Sequence, residues 1–248
     1  THANQLMFIA LPNAFGDATT NMAIDATLFA NMPEGLAAFR HYGWLGPAFT
    51  FGYAQHYHKV VSELASSHAP IEPAQTHTTL TRRMTGGGIV DHRNDWTYAL
   101  ILHSSIPVTS SPATNLYAQI HVAISQSLTK IGIDSRLAPC PRHCEELPVA
   151  SDIPTHCFAT PAANDVLHPD GRKIAGAAMK RSRQGLLIQG SIDRSVLPKT
   201  FNFITFQKLL LAHLANTLDL EPSELEDIRP LFKSCLLYTS PSPRDVEE

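Results

Sequence analysis

A chain of 248 residues with 44% hydrophobic and 17% charged residues has the composition of an ordinary globular protein, which excludes collagen-like, coiled-coil and wholly disordered chains. The formal net charge of -3 lacks the basic excess of a general nucleic-acid-binding protein. No apolar run reaches the roughly 18 residues of a membrane span, and the first residues lack the basic and apolar segments of a secretory signal. We therefore expect a cytoplasmic protein that binds neither membranes nor nucleic acid.

The first half of the chain predicts one clear helix and several strands. In residues 18–31, polar residues precede apolar residues at helical spacing, which predicts an amphipathic helix. Two strand-like runs follow at residues 37–42 and 47–53, separated by the turn sequence GWLGP. Residues 62–79 are expected to form a short helix and a loop rich in His and Thr, and residues 95–103 a half-buried strand.

The second half contains the strongest helical pattern. Apolar residues at three- and four-residue steps predict a helix over residues 112–131, closed by Gly132. Residues 134–156 have no clear period, and we expect an irregular loop. Residues 164–192 predict three strands. Two closing helices are expected at residues 204–218 and 222–232. Together these elements predict an α/β (α+β) domain with a substantial sheet.

The sequence RRMTGGG, residues 82–88, combines two arginines with three consecutive glycines. Each glycine costs about 0.5 to 1 kcal/mol relative to alanine in a regular element, so three together indicate a close approach to the main chain. Successive N–H groups of such a turn can bind an anion, and flanking guanidinium groups add positive charge. The sequence matches neither of the usual nucleotide-binding loops. The alternative is a hairpin turn with surface arginines.

A second basic motif is GRKIAGAAMKRSR, residues 171–183. Lys173 precedes apolar residues, where an ammonium costs free energy unless it meets a carboxylate, a phosphate or a carbonyl oxygen. In the alternative interpretation Lys173 is an exposed residue of a hairpin. Arg181 and Arg183 are interpreted as parts of a solvated turn.

Three separated motifs carry a family resemblance. NMAID at residues 21–25, RRMTGGGIVDH at 82–92, and GRKIAGAAM with LLIQGSI between 171 and 192 occur in consistent order. With them, residues 6–194 resemble the lipoate-protein ligase and octanoyltransferase family, which shares its catalytic fold with biotin-protein ligases. The resemblance implies a mainly antiparallel sheet packed with helices. It also implies attachment of a lipoyl or octanoyl group to a lysine of a lipoyl carrier domain, in glycine-cleavage H protein or a 2-oxoacid dehydrogenase E2.

The resemblance also implies roles for particular residues. Lys173 is expected to lie beside the activated acyl group and to stabilise developing negative charge there. Asn164 and Asp165 match a pair that borders the nucleotide and its metal in the ligase branch. No side chains of this protein are expected to form a metal site of their own. The expected substrate and acyl-adenylate contacts are Arg82, Arg83, Thr85, Gly86, Gly87, Gly88, His92, Asn164, Asp165, Gly176 and Gly190.

Two branches of the family predict different chemistry. In the ligase branch, which we take as the first expectation, ATP with Mg²⁺ activates lipoate or octanoate as an acyl-adenylate. In the transferase branch, Cys157 of the pair Cys157-Phe158 would accept an octanoyl group as a thioester, with acyl carrier protein as a possible donor and no ATP. A nearby cation would favour the reactive thiolate. The alternative for Cys157 is a buried structural cysteine.

Other classes of function fit the residues less well. A protein that only binds the carrier domain would not need the pairing of an arginine-glycine loop with Lys173. A biotin-protein ligase normally carries a GRGRxGR-type loop, which RRMTGGG does not match. Thiols and imidazoles are suitable zinc ligands, but the CxxHC spacing does not suit a tetrahedral site. The residues of that zinc alternative are Cys140, His143, Cys144, His156 and Cys157.

We expect the chain to divide into three parts. We expect residues 1–195 to form the catalytic domain and residues 196–234 a C-terminal helical segment that is truncated. Residues 235–248 contain CLLYTSPSPRD, which has no amphipathic period. We interpret them as a non-native, adapter-derived tail and exclude them from the fold.

Overall fold

The structure is a computed structural model that describes residues 6–66, 80–139 and 161–224. Four α-helices lie within these ranges: α1 Ala18–Asn31, α2 Tyr57–Ser66, α3 Ala113–Lys130 and α4 Phe203–Leu218. The strands of the same ranges are β1 Met7–Ala10, β2 Ala14–Gly16, β3 Leu36–Trp44, β4 Phe49–Phe51, β5 Leu80–Arg82, β6 Val90–Asp91, β7 Asp95–His103, β8 Arg136–Leu137, β9 Val166–Leu167, β10 Lys173–Arg181, β11 Gly185–Asp193 and β12 Glu221–Pro222.

Nine strands form a large mixed sheet in the order β12-β1-β3-β7-β11-β10-β9-β8, with β2 beside β3. From β3 to β8 all neighbours are antiparallel, whereas β1 runs parallel to both β3 and β12, and β2 runs parallel to β3. The expected mixed, mainly antiparallel sheet packed with helices is therefore confirmed. A second sheet of three strands has the order β5-β4-β6.

The large sheet is buried on both faces. On one face, Leu100 and Leu102 of β7 pack with α3 and α4, and on the other Ala99 and Ile101 pack with α1. Successive side chains of a strand point to opposite faces, so a strand covered on both sides must be apolar at consecutive positions. This explains why β7, predicted as half-buried, is buried at every position except His103.

The two long helices predicted with the clearest signals are confirmed. At the start of α1, the side chain of Asp17 accepts a hydrogen bond of 2.7 Å from the N–H of Thr20, which satisfies a donor that the helix leaves unpaired. Helix α3 ends before Gly132, whose φ of +86° is a conformation that glycine adopts without steric cost. Helix α4 also matches its prediction within one residue.

Three predicted boundaries are wrong in part. The helix expected within residues 62–79 begins at Tyr57, because Val60 and Leu64 bury one face against the small sheet. Arg136–Leu137 is a strand beside β9 and not irregular loop, and Pro222, predicted to begin a helix, ends the strand Glu221–Pro222 beside β1. The remainder of those predicted segments, residues 67–79, 140–156 and 225–232, lies outside the described residues.

Helix α4 joins the same hydrophobic core as the sheet. Phe206 is fully buried and packs edge-on against Trp96 of β7 at 5.4 Å between ring centroids. In the parts of the chain that the structure describes, no helix is both long and apolar enough to cross a bilayer. The proposed division of the chain after residue 195 stays a prediction.

The packing of α4 predicts that substitutions at two of its residues change the free energy of unfolding by very different amounts. Phe206→Ala should lower the free energy of unfolding by about 3 to 5 kcal/mol, because it removes a buried ring from the core. Ile204→Ala, at a position that is 72% exposed on the same helix, should change it by less than about 0.5 kcal/mol. Urea unfolding of both variants measures the difference. Equal losses would show that α4 is not held by this core.

Candidate active site

Arg83 holds the glycine loop from the inside. Its guanidinium donates to the carbonyl oxygens of Gly86 at 2.7 Å and Gly88 at 2.9 Å, and to the hydroxyl of Thr50 at 2.9 Å. The side chain is buried. A guanidinium can satisfy three acceptors at once because its donors point in fixed, separate directions. Arg83 therefore fixes the path of the loop.

Arg82, the neighbour of Arg83, has a different environment. Its side chain is exposed and its guanidinium carbon lies 5.2 Å from the centre of the Phe51 ring. The two arginines of the motif, expected to wall one site together, thus lie in different surroundings although they are adjacent in the chain. Arg83 is placed at the cavity and Arg82 at the surface.

The glycine loop packs against the small sheet without side chains between them. An added Cβ on Gly52 would lie 2.0 Å from the carbonyl oxygen of Gly87, which excludes any larger residue there without a shift of the backbone. Gly87 has a φ of +90°, which disfavours other residues at that position. The next residue is Gly88, and its carbonyl oxygen accepts a hydrogen bond from Arg83.

Lys173 and Asp165 form a buried ion pair. The Lys173 ammonium lies 2.9 Å from Oδ2 of Asp165, and their side chains are 8% and 0% exposed. The Lys173 side chain crosses Gly176, where an added Cβ would lie 2.4 Å from Cε of the lysine. Gly176 thus leaves space for the lysine. Asn164 adopts the left-handed conformation with φ 66° in the turn that leads to Asp165.

Lys173 and the glycine loop meet at one narrow cavity of about 70 Å³. Six of the residues predicted for the site line it, namely Arg83, Gly87, His92, Lys173, Gly176 and Gly190. Thr85 and Asp165 lie behind lining residues, since they bond to Gln189 and Lys173 respectively. The other lining residues are Met22, Tyr42, Thr50, Val90, Thr97, Ala177, Ala178, Gln189 and Ser191.

His92 is held by contacts on both ring nitrogens and on one ring face. Nδ1 lies 2.6 Å from Asp95, Nε2 lies 2.8 Å from the Thr50 hydroxyl, and the ring stacks on Trp44 at 4.2 Å. Thr50 already accepts a hydrogen bond from Arg83, so its own proton is available for Nε2 of His92. The Asp95 carboxylate can only accept a hydrogen bond, so Nδ1 of His92 carries a proton and donates it to Asp95.

A buried polar network lies beneath the cavity. Gln189 accepts from the Thr85 hydroxyl at 2.8 Å and donates to Asp25 at 2.8 Å. Asp25 also pairs with Arg40 at 2.7 Å and accepts from the Tyr42 hydroxyl at 2.8 Å. Burial, with the nearby Asp25 charge, raises the pKa of Tyr42 well above its usual range, which keeps the phenol protonated as a donor. The network joins the glycine loop to α1, β3 and β11.

Arg40 was not predicted as a site residue, and Asp25 and Gln189 entered only as members of the NMAID and LLIQGSI motifs. One signal was available: Asn21 and Asp25 are polar residues four apart on an amphipathic helix, and both are fully buried. Such residues require polar partners. Their partner Arg40 lies on β3, and its side chain is bonded to both of them.

Several expected residues lie outside the described part of the chain. Cys157 does, as do the remaining members of the zinc alternative between residues 140 and 156. Within residues 6–66, 80–139 and 161–224, no group of three His, Cys, Asp or Glu side chains is placed to hold a metal ion. The roles assigned to Cys157 and to Asn164 with Asp165 stay predictions.

Comparison with known proteins identifies the family. The family described as the lipoyl protein ligase A/B catalytic domain matches residues 17–209, which is more than half of the chain. The chain belongs to this family. The octanoyltransferase LipM of Halalkalibacterium halodurans is 29% identical over 194 residues, covering 75% of this chain and 67% of its own length. That of Geobacillus kaustophilus is 31% identical over 190 residues, covering 74% and 65%.

The chain therefore spans about two thirds of the length of these curated relatives. Solved structures agree on the family fold. A lipoate-protein ligase A bound with ATP has a TM-score of 0.63 at 18% identity, covering 95% of this chain and 96% of that one. A bipartite lipoate protein ligase from Thermoplasma acidophilum has a TM-score of 0.60 at 16% identity, covering 95% and 94%. At these identities the likeness shows the fold alone.

The contacts of Arg83 predict that this position does not tolerate lysine. Arg83→Lys keeps the charge, but Thr50 and the two carbonyls are bonded by two different guanidinium nitrogens, whose positions a single ammonium nitrogen cannot both occupy. The free energy of unfolding should fall by about 1 to 2 kcal/mol. The matched control is Arg82→Lys at the exposed neighbour, which should change it by less than about 0.5 kcal/mol. Chemical denaturation of both variants checks this, and equal effects would contradict the role of Arg83.

Buried His121 on α3 predicts a pH dependence of stability. Burial lowers the pKa of His121 from 6.5 to about 4, and a hydrogen bond with the backbone of Tyr117 offsets only part of this effect. The unfolded chain therefore binds a proton on His121 below pH 6.5, whereas the folded protein binds it only below about pH 4. The stability that neutral His121 contributes is fully present above pH 6.5 and is lost as the pH falls from 6.5 to about 4.

The His121 contribution can be isolated by substitution. Between pH 6.5 and 4 the wild type should lose about 3 kcal/mol of stability through this group, and His121→Leu should lose correspondingly less. His58→Leu, at an exposed histidine, serves as the control. Unfolding curves at several pH values give the comparison. A wild type and a His121→Leu variant with parallel pH profiles would refute the assignment.

Proposed function

We propose that this protein transfers an octanoyl group from a carrier-protein thioester to a lysine of a lipoyl carrier domain, without ATP. The observation that carries the proposal is the buried Lys173–Asp165 pair beside the same cavity as Gly87 of the glycine loop. The Lys173 ammonium and the main chain of Gly87 thus line the same cavity, where an acyl head group would bind. The names of the curated relatives, octanoyltransferases, support the reaction.

The walls of the cavity suit an acyl chain. Gly87, Gly176 and Gly190 contribute main chain only, and Ala177 and Ala178 contribute single methyl groups. Each methylene that leaves water contributes about 0.8 kcal/mol, and van der Waals contact with the backbone requires that no larger side chain intervene. Six buried methylenes would thus supply about 5 kcal/mol. That corresponds to an affinity of only about 0.2 mM, so the head group must supply further binding energy.

Lys173 supplies the charge that acyl transfer requires. When a nucleophile adds to the thioester carbonyl, the carbonyl oxygen becomes an oxyanion, and an ammonium fixed in advance stabilises it without reorganisation. Asp165 compensates the lysine charge in the resting state, because an isolated buried ammonium would be costly. Lys173 remains a cation at the cavity in this proposal.

Cys157 is the proposed nucleophile. Its thiolate adds to the octanoyl thioester, and the tetrahedral adduct expels the thiolate of the acyl carrier protein, which leaves an octanoyl-cysteine thioester. The amine of the acceptor lysine then adds, loses one proton, and expels the Cys157 thiolate as the amide forms. Every bond broken is replaced, and no nucleotide is consumed. The Cys157-Phe158 pair of the transferase branch supports this assignment.

The second candidate is an ATP-dependent lipoate-protein ligase, which the sequence alone placed first. Asn164-Asp165 favours it, since this pair resembles the nucleotide-bordering pair of that branch. However, Asp165 Oδ2 accepts from the N–H of Ala162 at 2.6 Å and pairs with Lys173, while Oδ1 accepts from the hydroxyl of Tyr117. The carboxylate that the ligase would use is thus occupied by protein donors. Because hydrogen bonds and the ion pair already occupy both oxygens, the Asp165 carboxylate does not fit the role of a metal ligand.

The proposed partners follow from the reaction. The acceptor is the lipoyl domain of glycine-cleavage H protein or of a 2-oxoacid dehydrogenase E2, and the donor is octanoyl acyl carrier protein. A cytoplasmic location, where these carriers meet in bacteria, is part of the same proposal.

A mass-spectrometric assay distinguishes the candidates. Purified protein is mixed with apo carrier domain and either octanoyl acyl carrier protein without ATP, or lipoate with ATP and Mg²⁺. We expect the carrier mass to rise by one octanoyl group in the first mixture. A rise only in the second would establish the ligase, and no rise in either would leave a protein that binds the carrier without acylating it.

Variants assign the two reactive residues. Cys157→Ser should abolish transfer, and Lys173→Met should lower kcat by about a hundredfold or more, the effect of removing one oxyanion donor. Lys199→Met, at an exposed lysine, is the matched control and should retain full activity. Melting curves establish that each variant is folded. Full activity of Lys173→Met would contradict the proposed role of this ammonium.

A further inference from the structure

Tyr117 of α3 connects three elements through one phenol oxygen. The hydroxyl donates to Oδ1 of Asp165 and accepts from the N–H of Ala177 at 3.1 Å. Asp165 lies just before β9, and Ala177 lies on β10 beyond the last residue that pairs with β9. Tyr117 therefore continues the contact between these strands where their own hydrogen bonds end. It does not belong to the residues that line the cavity.

The direction of each hydrogen bond follows from the chemistry of the partners. An amide N–H can only donate, so Ala177 occupies a lone pair of the phenol oxygen, and the phenol proton is left for Asp165. Burial and the Asp165 charge raise the pKa of Tyr117, which keeps that proton in place. His121 packs on the Tyr117 ring at 4.1 Å between ring centroids.

These contacts fix the orientation of the carboxylate. Oδ1 of Asp165 is bonded by Tyr117, and Oδ2 by the Ala162 N–H at 2.6 Å and by the Lys173 ammonium at 2.9 Å. A carboxylate held on both oxygens cannot rotate about its terminal bond. The ammonium is consequently held above Gly176, on the cavity.

We infer that Tyr117 is a positioning residue for acyl transfer: its hydroxyl fixes the Asp165 carboxylate so that Lys173 presents its ammonium to the reacting acyl group. The inference rests on the proposed function. Tyr117 acts through Asp165 and touches neither the acyl group nor the cavity. Its loss should impair the chemical step more than substrate binding.

Tyr98 provides a matched control. It is also a buried tyrosine, on β7, and its hydroxyl has no hydrogen-bond partner in the described ranges. Tyr98→Phe removes the same oxygen atom as Tyr117→Phe but breaks no hydrogen bond. Both variants keep the ring that packs in the core, so a general effect of losing a buried hydroxyl appears in both.

The first measurement is steady-state transfer from octanoyl acyl carrier protein to the apo carrier domain. Tyr117→Phe should lower kcat about tenfold, the scale of one hydrogen bond to a charged group, with KM changed by less than about twofold. Tyr98→Phe should match the wild type. An unchanged kcat for Tyr117→Phe would overturn the inference, and so would an equal loss in Tyr98→Phe.

A second measurement does not depend on activity. Purified protein is treated with the amine-reactive ester N-acetoxysuccinimide, and labelling of Lys173 relative to exposed Lys199 is followed by peptide mass spectrometry. An ammonium held by a fixed carboxylate reacts slowly, so Lys173 should be labelled severalfold faster in Tyr117→Phe and at the wild-type rate in Tyr98→Phe. Unchanged labelling in Tyr117→Phe would overturn the inference. If the wild type transfers no acyl group from either donor, the proposed function fails while this readout still decides the role of Tyr117.

Discussion

The ion pair between Lys173 and Asp165 is the interaction on which the arrangement of the site depends. Removing two charges from water costs several kcal/mol per ion, and only close geometry with additional hydrogen bonds compensates this cost. Here Lys173 comes from β10, Asp165 from the turn before β9, and the bonding hydroxyl of Tyr117 from α3. Because these elements share one hydrophobic core with the sheet, the position of the ammonium is set by the packing of the domain.

A second set of buried charges secures the opposite wall of the cavity. Arg83 holds the carbonyls of the glycine loop from the inside, while Thr85 is tied through Gln189 to Asp25 on α1. Asp25 is in turn compensated by Arg40. The loop is thus anchored to both sheets and to one helix. A glycine-rich segment, which would otherwise have large conformational freedom, is fixed where it faces Lys173.

The sequence predicted those features that have a local signal. Residues 112–131 repeat apolar side chains at helical spacing, and residues 95–103 alternate polar and apolar side chains before an apolar run, so both elements could be placed correctly. The pairing of β12 with β1 could not be predicted, because two residues carry no period and their partner is more than 200 residues away. The different surroundings of Arg82 and Arg83 could not be predicted either, since identical side chains give no indication of which one is buried.

The position of β12 has a consequence for folding on the ribosome. Strand β1 precedes one of its two sheet neighbours, Glu221–Pro222, by more than 200 residues. Until that neighbour has been synthesised, one edge of β1 presents unpaired N–H and C=O groups. Between the synthesis of β1 and that of β12, a nascent chain therefore carries an open sheet edge, and a pause before residue 221 leaves an intermediate prone to pairing with other chains.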